Sequence, residues 1–316
     1  MKFLKKIEIF IKASPSKKIE YMTRISKKIH TYFLPLLRIH RILFSSKGEK
    51  RNAALDILER FSNIGKFIRY RNYFGYKLFY SCSRNGTGII NHIMCGRTYE
   101  QETCDFIKKS LDNVENPGFV DIGANIGLIS IYMLKKIPKI KIYAFEPSPH
   151  QNMLFEKTIK ENYLEDKIKL FKVALGEEDG EATFFAHNSA NCSGDGFKDT
   201  GRGGNTKEIK VETTSLDSWC NKNNSPKIDL IKIDTEGAEL YILMGAKEAI
   251  IKNSPIIFFE MQEVNYKVYG YNWVDILNFF NTVGYSIYTE SGIELTDKNG
   301  AKIMIDNYNF IAKKNV

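Results

Sequence analysis

An α/β protein built on a doubly wound, mostly parallel sheet is what this sequence predicts. Three observations carry that: a strand, glycine turn and helix between residues 118 and 134, an acidic residue closing the next strand at 146, and alternating strand and helix patterns from there on. Gly118-Phe119-Val120 reads as the end of a buried strand, and 128–134 as a helix starting where the turn Asp121-Ile122-Gly123-Ala124-Asn125-Ile126-Gly127 stops. In a doubly wound sheet such a turn holds a nucleotide-like ligand. Glu146 follows Gly123 by 23 residues and ends the strand Tyr143-Ala144-Phe145, where a carboxylate can accept both ribose hydroxyls of an adenosine.

The turn also bears on which adenosine cofactor is meant. A dinucleotide fingerprint needs glycine at its middle position so that backbone can meet a pyrophosphate. Here Asn125 stands near that place, the spacing is G-x-x-x-G, and no basic residue lies in the loop. The Asp121 carboxylate would repel phosphates but suits an ammonium and a sulfonium, so the residues favour S-adenosylmethionine over NAD. The alternative is a tight turn whose glycines only supply positive φ.

Further elements follow in order. The pattern gives strands at 76–80 and 88–90, a helix at about 99–111, a strand at 140–146, a helix at 149–162 and a strand at 167–174. After an interruption come a strand at 228–234, a helix at 236–251, a strand at 256–260, a helix at 272–282, and strands at 285–289 and 307–312. Within the interruption, Glu181 to Phe185 and Glu208 to Thr214 alternate like a hairpin, flanking a polar, glycine-rich excursion that includes His187. Such an excursion is expected near the carboxyl edge of the sheet, or as a surface loop.

Residues 1–70 read as a basic helical extension and 71–316 as the main domain. The formal net charge of +9 is concentrated in the first: residues 1–80 hold 19 Lys and Arg against 5 Asp and Glu, the remainder 27 against 32. A nucleic acid gripped around the glycine turn is therefore disfavoured. Residues 16–37 carry Ile19, Met22, Ile25, Ile29, Phe33 and Leu36 at steps of three and four with lysines opposite, an amphipathic helix that can pack on the protein or lie on an anionic membrane. A second helical stretch is expected at 53–61. Lysines at 2, 5, 6 and 12 break any signal-peptide run, and no apolar stretch reaches 18 residues. Five cysteines with no C-x-x-C spacing favour reduced thiols and a cytoplasmic protein, with neither a zinc site nor a disulfide frame.

Ile228-Asp229-Leu230-Ile231-Lys232-Ile233-Asp234-Thr235-Glu236-Gly237-Ala238-Glu239 adds the most specific signal. With Tyr99-Glu100, V-D-I-G-A-N-I-G, A-F-E-P-S-P, Ser215-Leu216-Asp217, Gly245-Ala246 and Pro255 to Glu260, the chain resembles the FkbM family of S-adenosylmethionine-dependent methyltransferases from about residue 72 to 290. The resemblance implies a Rossmann-like, seven-stranded class I sheet whose last strand is antiparallel. It implies O-methylation of a sugar, glycan or other natural-product hydroxyl, as in polysaccharide biosynthesis. It also implies a cofactor set of Glu100, Asp121, Gly123, Ala124, Asn125, Gly127, Glu146, Pro147, Ala174 and Asp234: the turn cradles methionine and ribose, Asp121 lies near the amino group, and Val173-Ala174-Leu175 flank adenine.

Methyl transfer from a sulfonium to a hydroxyl is an in-line displacement that needs alignment and a base, or a metal lowering the hydroxyl pKa. The candidates are Asp234, Glu236, Glu239, His187 and Glu260. Glu236 and Glu239, at a helical step of three, can instead serve the positive end of a helix. Asp234 with Glu236 is the one pair considered for a divalent cation, but the spacing assigns no metal site. The acceptor is expected to be a small molecule or glycan, with residues 1–40 touching the inner face of the plasma membrane. Two other readings stay open: an RNA or DNA methyltransferase that uses the basic arm, against which stands the missing Asn/Asp-Pro-Pro-Tyr motif, and a non-catalytic cofactor-binding module.

Overall fold

The computed structural model describes residues 68–81, 98–187, 194–201 and 206–315. The chain divides into two units, of which the first, Met1–Ile68 with Ser81–Arg84, falls almost wholly outside the described residues. The helices expected at 16–37 and 53–61 and the strand at 88–90 fall outside them as well. Everything below concerns the second unit.

Strands β1 (Ile68–Tyr73) and β2 (Tyr76–Ser81) form a hairpin turning at Phe74 and Gly75, both at positive φ. Helix α1 (Gln101–Leu111) leads to β3 (Gly118–Ile122), α2 (Leu128–Lys136), β4 (Lys141–Phe145), α3 (Pro149–Glu161) and β5 (Ile168–Phe171). The hairpin is tied to α3 by side chains standing in for a ladder: Asn162 Nδ2 donates to Lys77 O at 2.9 Å, and Lys77 N and Phe79 N donate to Asn162 Oδ1 and Thr158 Oγ1.

After β5 the chain leaves the main sheet. β6 (Ala174–Leu175), β7 (Gly180–His187) and β8 (Thr206–Thr214) make a small sheet of order β6-β8-β7, in which β7 and β8 are the expected antiparallel hairpin. The strand expected at 167–174 thus ends at Phe171, because Ala174 and Leu175 pair with β8 instead. α4 (Leu216–Lys222) starts at Ser215, whose hydroxyl accepts from Ser218 N, and leads back into β9 (Leu230–Ile233).

The helix expected at 236–251 is two, α5 (Glu239–Met244) and α6 (Lys247–Asn253). They break at Gly245, where a Cβ would come within 2.2 Å of Gly176 O, so the chain packs backbone against backbone there. β10 (Ile256–Glu260), α7 (Glu263–Tyr269), α8 (Trp273–Thr282), β11 (Tyr285–Thr289), β12 (Glu294–Leu295), α9 (Gly300–Asp306) and β13 (Asn309–Lys314) complete the unit.

The main sheet runs β12-β11-β13-β10-β9-β3-β4-β5. β5, β4, β3, β9 and β10 are parallel, and β13 runs antiparallel between β10 and β11. These are the seven expected strands, the last inserted against the direction of the rest; two-residue β12 adds an eighth at the edge. Every residue of β3 and β9 is buried, as expected for central parallel strands with helices on both faces. At the carboxyl ends of β4 and β5, Phe145 and Phe171 close a ring cluster with Trp219, centroids 5.0 to 5.2 Å apart.

Candidate cofactor and active-site cleft

The site begins with two charged residues in strands that otherwise hold only apolar side chains and glycine. Asp121 of β3 and Lys232 of β9 are register partners, so both project from the same face of the sheet. Both are buried, Asp121 at 1% and Lys232 at 3% exposure, and isolated charges at that depth would cost several kcal/mol each. Lys232 Nζ lies 3.2 Å from Asp234 Oδ2 and 3.8 Å from Asp121 Oδ1. Burial works against the ammonium, but Asp234, Asp121 and Glu100 together outweigh it and hold Lys232 charged. Asp121 Oδ2 accepts from Ser130 Oγ at 2.6 Å, whereas Asp121 Oδ1 is buried without a hydrogen-bond donor. An orphaned carboxylate oxygen at the wall of a cleft is the kind of atom a ligand cation satisfies.

The glycine turn joins three strand ends. Gly123 N and Ala124 N both donate to Phe145 O, and Asp234 N donates to Ile122 O. Gly123 has φ +74, and a Cβ on it would sit 1.9 Å from Asp234 O, so only glycine lets β9 come this close. Asn125, at φ 51, aims its N–H at Glu146 Oε2 at 2.8 Å, while Ser148 N donates to Glu146 Oε1 at 2.8 Å. Glu146 is thus held by two backbone amides at the far end of the turn. Burial raises its pKa to about 8, with Asp195 pushing the same way and the amides of Ser148 and Asn125 opposing.

Between these ends lies a cleft of about 240 Å³, a little under the ~300–1,000 Å³ usual for small-molecule sites. Of the residues expected to hold cofactor, Glu100, Asp121, Gly123, Ala124, Asn125, Glu146, Pro147, Ala174 and Asp234 all line it, as do Val173 and Leu175. Gly127 is not among the lining residues. It caps α2 at φ +84, and a Cβ there would lie 2.1 Å from the Phe155 ring, so this glycine serves packing.

Asp234, Glu236 and Glu260 also line the cleft, at the carboxyl ends of β9 and β10. Asn265, itself buried, donates to Glu236 Oε2 at 2.9 Å and to Glu260 Oε2 at 3.4 Å. Burial drives the Glu260 pKa to about 9, helped by Asp234, Glu236 and Glu239. Burial and Asp234 likewise raise Glu100 to about 7. Glu236 is not helical: it sits in a loop at φ 59, and α5 starts at Glu239. Glu239 is not a cleft carboxylate either, for its oxygens accept from Thr235 N, Thr235 Oγ1, Gly237 N and Tyr271 OH. It is the clamp that fixes the loop carrying Glu236. His187 closes β7, and its side chain lies outside the described residues. Among the described residues, no three His, Cys, Asp or Glu are grouped so as to hold a metal ion.

Three features escaped the sequence reading. Lys232 is one, though a lysine inside Leu230-Ile231-Lys232-Ile233 was a visible anomaly. Another is Asp195 from the β7–β8 excursion, which crosses to accept from Ser148 Oγ at 2.8 Å and Gln151 Nε2 at 3.1 Å at the Glu146 end of the cleft. Asn265 is the third, and no local pattern marks it.

A family model for the FkbM methyltransferase domain matches residues 121–287, just over half of the chain. This chain belongs to the FkbM methyltransferase family. Among curated relatives, the 2-O-methyltransferase NoeI of Sinorhizobium fredii is 31% identical over 160 residues, covering 45% of this chain and 63% of that protein. Methyltransferase sdnD of Sordaria araneosa is 32% identical over 160 residues, covering 42% and 61%. The chain therefore spans less than two thirds of the length of either. An FkbM methyltransferase structure from Methylobacillus flagellatus superposes with a TM-score of 0.40 at 15% identity, over 62% of this chain and 43% of that one, too loosely to add to the family match.

Proposed function

We propose that this FkbM-family protein is an S-adenosylmethionine-dependent O-methyltransferase whose acceptor is a hydroxyl of a sugar, glycan or related natural product. The observation that carries the reading is the pairing of two acidic sites across one cleft. The Asp121 Oδ1 atom, buried and lacking a donor, suits the methionine ammonium; Glu146, fixed by the Asn125 and Ser148 amides, suits the ribose hydroxyls. Val173, Ala174 and Leu175 give the apolar wall an adenine needs. S-adenosylmethionine supplies an electrophilic methyl carbon when bound.

The chain's own contribution is alignment and proton removal. As the acceptor oxygen bonds to carbon, the carbon–sulfur electron pair returns to sulfur and the hydroxyl proton passes to a carboxylate. Of the carboxylates at the ends of β9 and β10, Asp234 is engaged by Lys232 and Glu260 is pushed by burial toward its protonated form, so Glu236, oriented by Asn265, is the proposed acceptor of that proton. The hydroxyl class is favoured by the relative NoeI, named a 2-O-methyltransferase, and by a cleft whose carboxylates are ill suited to a phosphate-rich nucleic acid. Incubating the protein with methyl-labelled S-adenosylmethionine and a cell-envelope extract tests this. Label in a saccharide fraction supports the reading; label confined to RNA or DNA, or none anywhere, would overturn it.

The basic arm is proposed to hold the protein at an anionic membrane face beside such an acceptor. The support is the charge of residues 1–80 and the amphipathic pattern of 16–37. Deleting residues 2–40 should abolish sedimentation with vesicles rich in anionic lipid, and unchanged sedimentation would retire the idea.

A further inference from the structure

Residues 194–198 of the β7–β8 excursion are fastened across the cleft at both ends. Toward Glu146, Asp195 Oδ2 accepts from Ser148 Oγ and Gln151 Nε2, two side chains that are themselves buried at the start of α3. Toward the loop of Glu236, Lys198 N donates to the hydroxyl of Tyr269, the last residue of α7, at 3.2 Å. Between these ties Gly196 exchanges two backbone hydrogen bonds with Phe185 of β7, 2.8 and 3.2 Å long. Gly194 and Gly196 are buried, and Gly194, Asp195, Gly196 and Phe197 all line the cleft. Ties at both margins with a backbone pair between them make this an ordered element, where a surface loop would turn its polar groups to water.

Tyr269 holds more than one end of the stretch. Its ring lies on Gly237, where a Cβ would come within 2.6 Å of it, and Gly237 follows Glu236 in the loop. Its hydroxyl meets Gly196 from the other side: a Cβ there would lie 3.1 Å from that oxygen and 3.6 Å from Thr235 O. One side chain therefore touches both the excursion and the loop that carries the proposed proton acceptor. Phe197, beside the tie, packs edge-to-face against Phe184 with centroids 5.9 Å apart, and both rings line the cleft with Val173, Ala174 and Leu175.

Resting on the S-adenosylmethionine reading for what lies beneath it, we infer that residues 194–198 are a strap over the cofactor and that Asp195 and Tyr269 are the positioning residues that fasten it. Neither acts on the reacting atoms. Asp195 works through Ser148 and Gln151, and Tyr269 through the main chain of Lys198. The strap has to loosen for cofactor to enter or spent cofactor to leave, so its ties set the pace of exchange in both directions. A cover slows entry and exit alike, whereas a contact made only with bound ligand slows exit alone.

Surface plasmon resonance of S-adenosylhomocysteine on the immobilised full chain tests this, because it reads association and release separately. Asp195→Ala should speed release about tenfold or more, the worth of a hydrogen-bonded charged group, and speed association as well. Tyr269→Phe keeps the ring on Gly237 and removes only the tie, so both rates should rise by about three- to tenfold. Asp195→Asn keeps an oxygen that accepts from Ser148 and should return most of the way to wild-type rates. Faster release with unchanged association would make these residues ligand contacts, and Asp195→Asn behaving as Asp195→Ala would make Asp195 a charge acting on Glu146; either result overturns the inference. Amide hydrogen exchange of the ligand-free wild-type protein decides it even if no variant folds: Gly196 and Lys198 should be protected, and free exchange at both would overturn the strap. Failure of S-adenosylhomocysteine to bind the wild-type protein would overturn the cofactor reading and this inference with it, whereas normal binding with unaltered rates in both tie-breaking variants would overturn the strap alone.

Discussion

The two ends of the cleft hold carboxylates by different means. At the Glu146 end the carboxylate is gripped by backbone amides from two adjoining turns, donors whose positions the main chain fixes. At the Lys232 end Asp121 and Asp234 share one buried ammonium, and Asp121 Oδ1 has no hydrogen-bond donor besides that ion pair. The first arrangement fixes shape; the second sets two carboxylates against a single ammonium. A cofactor with a rigid diol at one end and positive charge at the other fits that division.

The comparison breaks most violently at Lys232. Replacing it by Met should strand the buried Asp121, and the partly exposed Asp234, without their cation and cost roughly 3 kcal/mol or more of stability in urea denaturation. Adding Asp121→Asn should recover part of the loss, and full stability of Lys232→Met alone would mean the ammonium is not what holds this end.

Binding separates the ends next. Glu146→Gln should weaken S-adenosylmethionine by about 10–100-fold, the worth of a charged hydrogen-bonding group, and weaken 5′-methylthioadenosine equally, since that ligand keeps the ribose. Asp121→Asn should weaken S-adenosylmethionine by a similar factor yet spare 5′-methylthioadenosine, which lacks the amino-acid end. Identical profiles for the two variants by calorimetry would erase the distinction between the ends.

Gly127→Ala sharpens the contrast between a glycine that packs and one that lines the site. Positive φ and the Phe155 ring should cost it about 1–3 kcal/mol, with cofactor affinity of the folded fraction unchanged. Loss of affinity at full stability would return Gly127 to the cofactor set.

The smallest effect is a slope. Glu100, Glu146 and Glu260 have folded pKa values raised by burial, so the folded state keeps protons that the unfolded state loses. That contribution to stability is whole below about pH 4.5, where unfolded carboxyls are also protonated, and is lost as pH rises through 7, 8 and 9. Ligand-free melting temperature should fall across that window, and Glu260→Gln should flatten its upper part; a flat wild-type profile would contradict the burial argument.

Much of this was legible in the chain, because parallel strands and the turns after them are local. Asp121 and Glu146 are betrayed by carboxylates ending apolar runs, and the glycine turn by its spacing. What stayed hidden was made by long-range approach. Gly127 looks like part of the ligand turn until Phe155 is seen behind it, and Glu236 and Glu239 look like one helical face until Tyr271 and the Thr235 loop close around Glu239. Asp195 reaches the cleft, and Asn265 the carboxylates Glu236 and Glu260 that line it, from segments whose own patterns point nowhere. Lys232 was readable in principle, since a lone lysine in a doubly covered strand demands a partner.

The most direct test of the account is a titration of S-adenosylmethionine into the protein near pH 7.5 in two buffers of different ionisation enthalpy, repeated with NAD. The account predicts one-site binding whose heat depends on the buffer, because a cation drawn to Glu100 and a ribose drawn to Glu146 expel their protons, and no binding of NAD. Binding of NAD with no uptake of S-adenosylmethionine would contradict it.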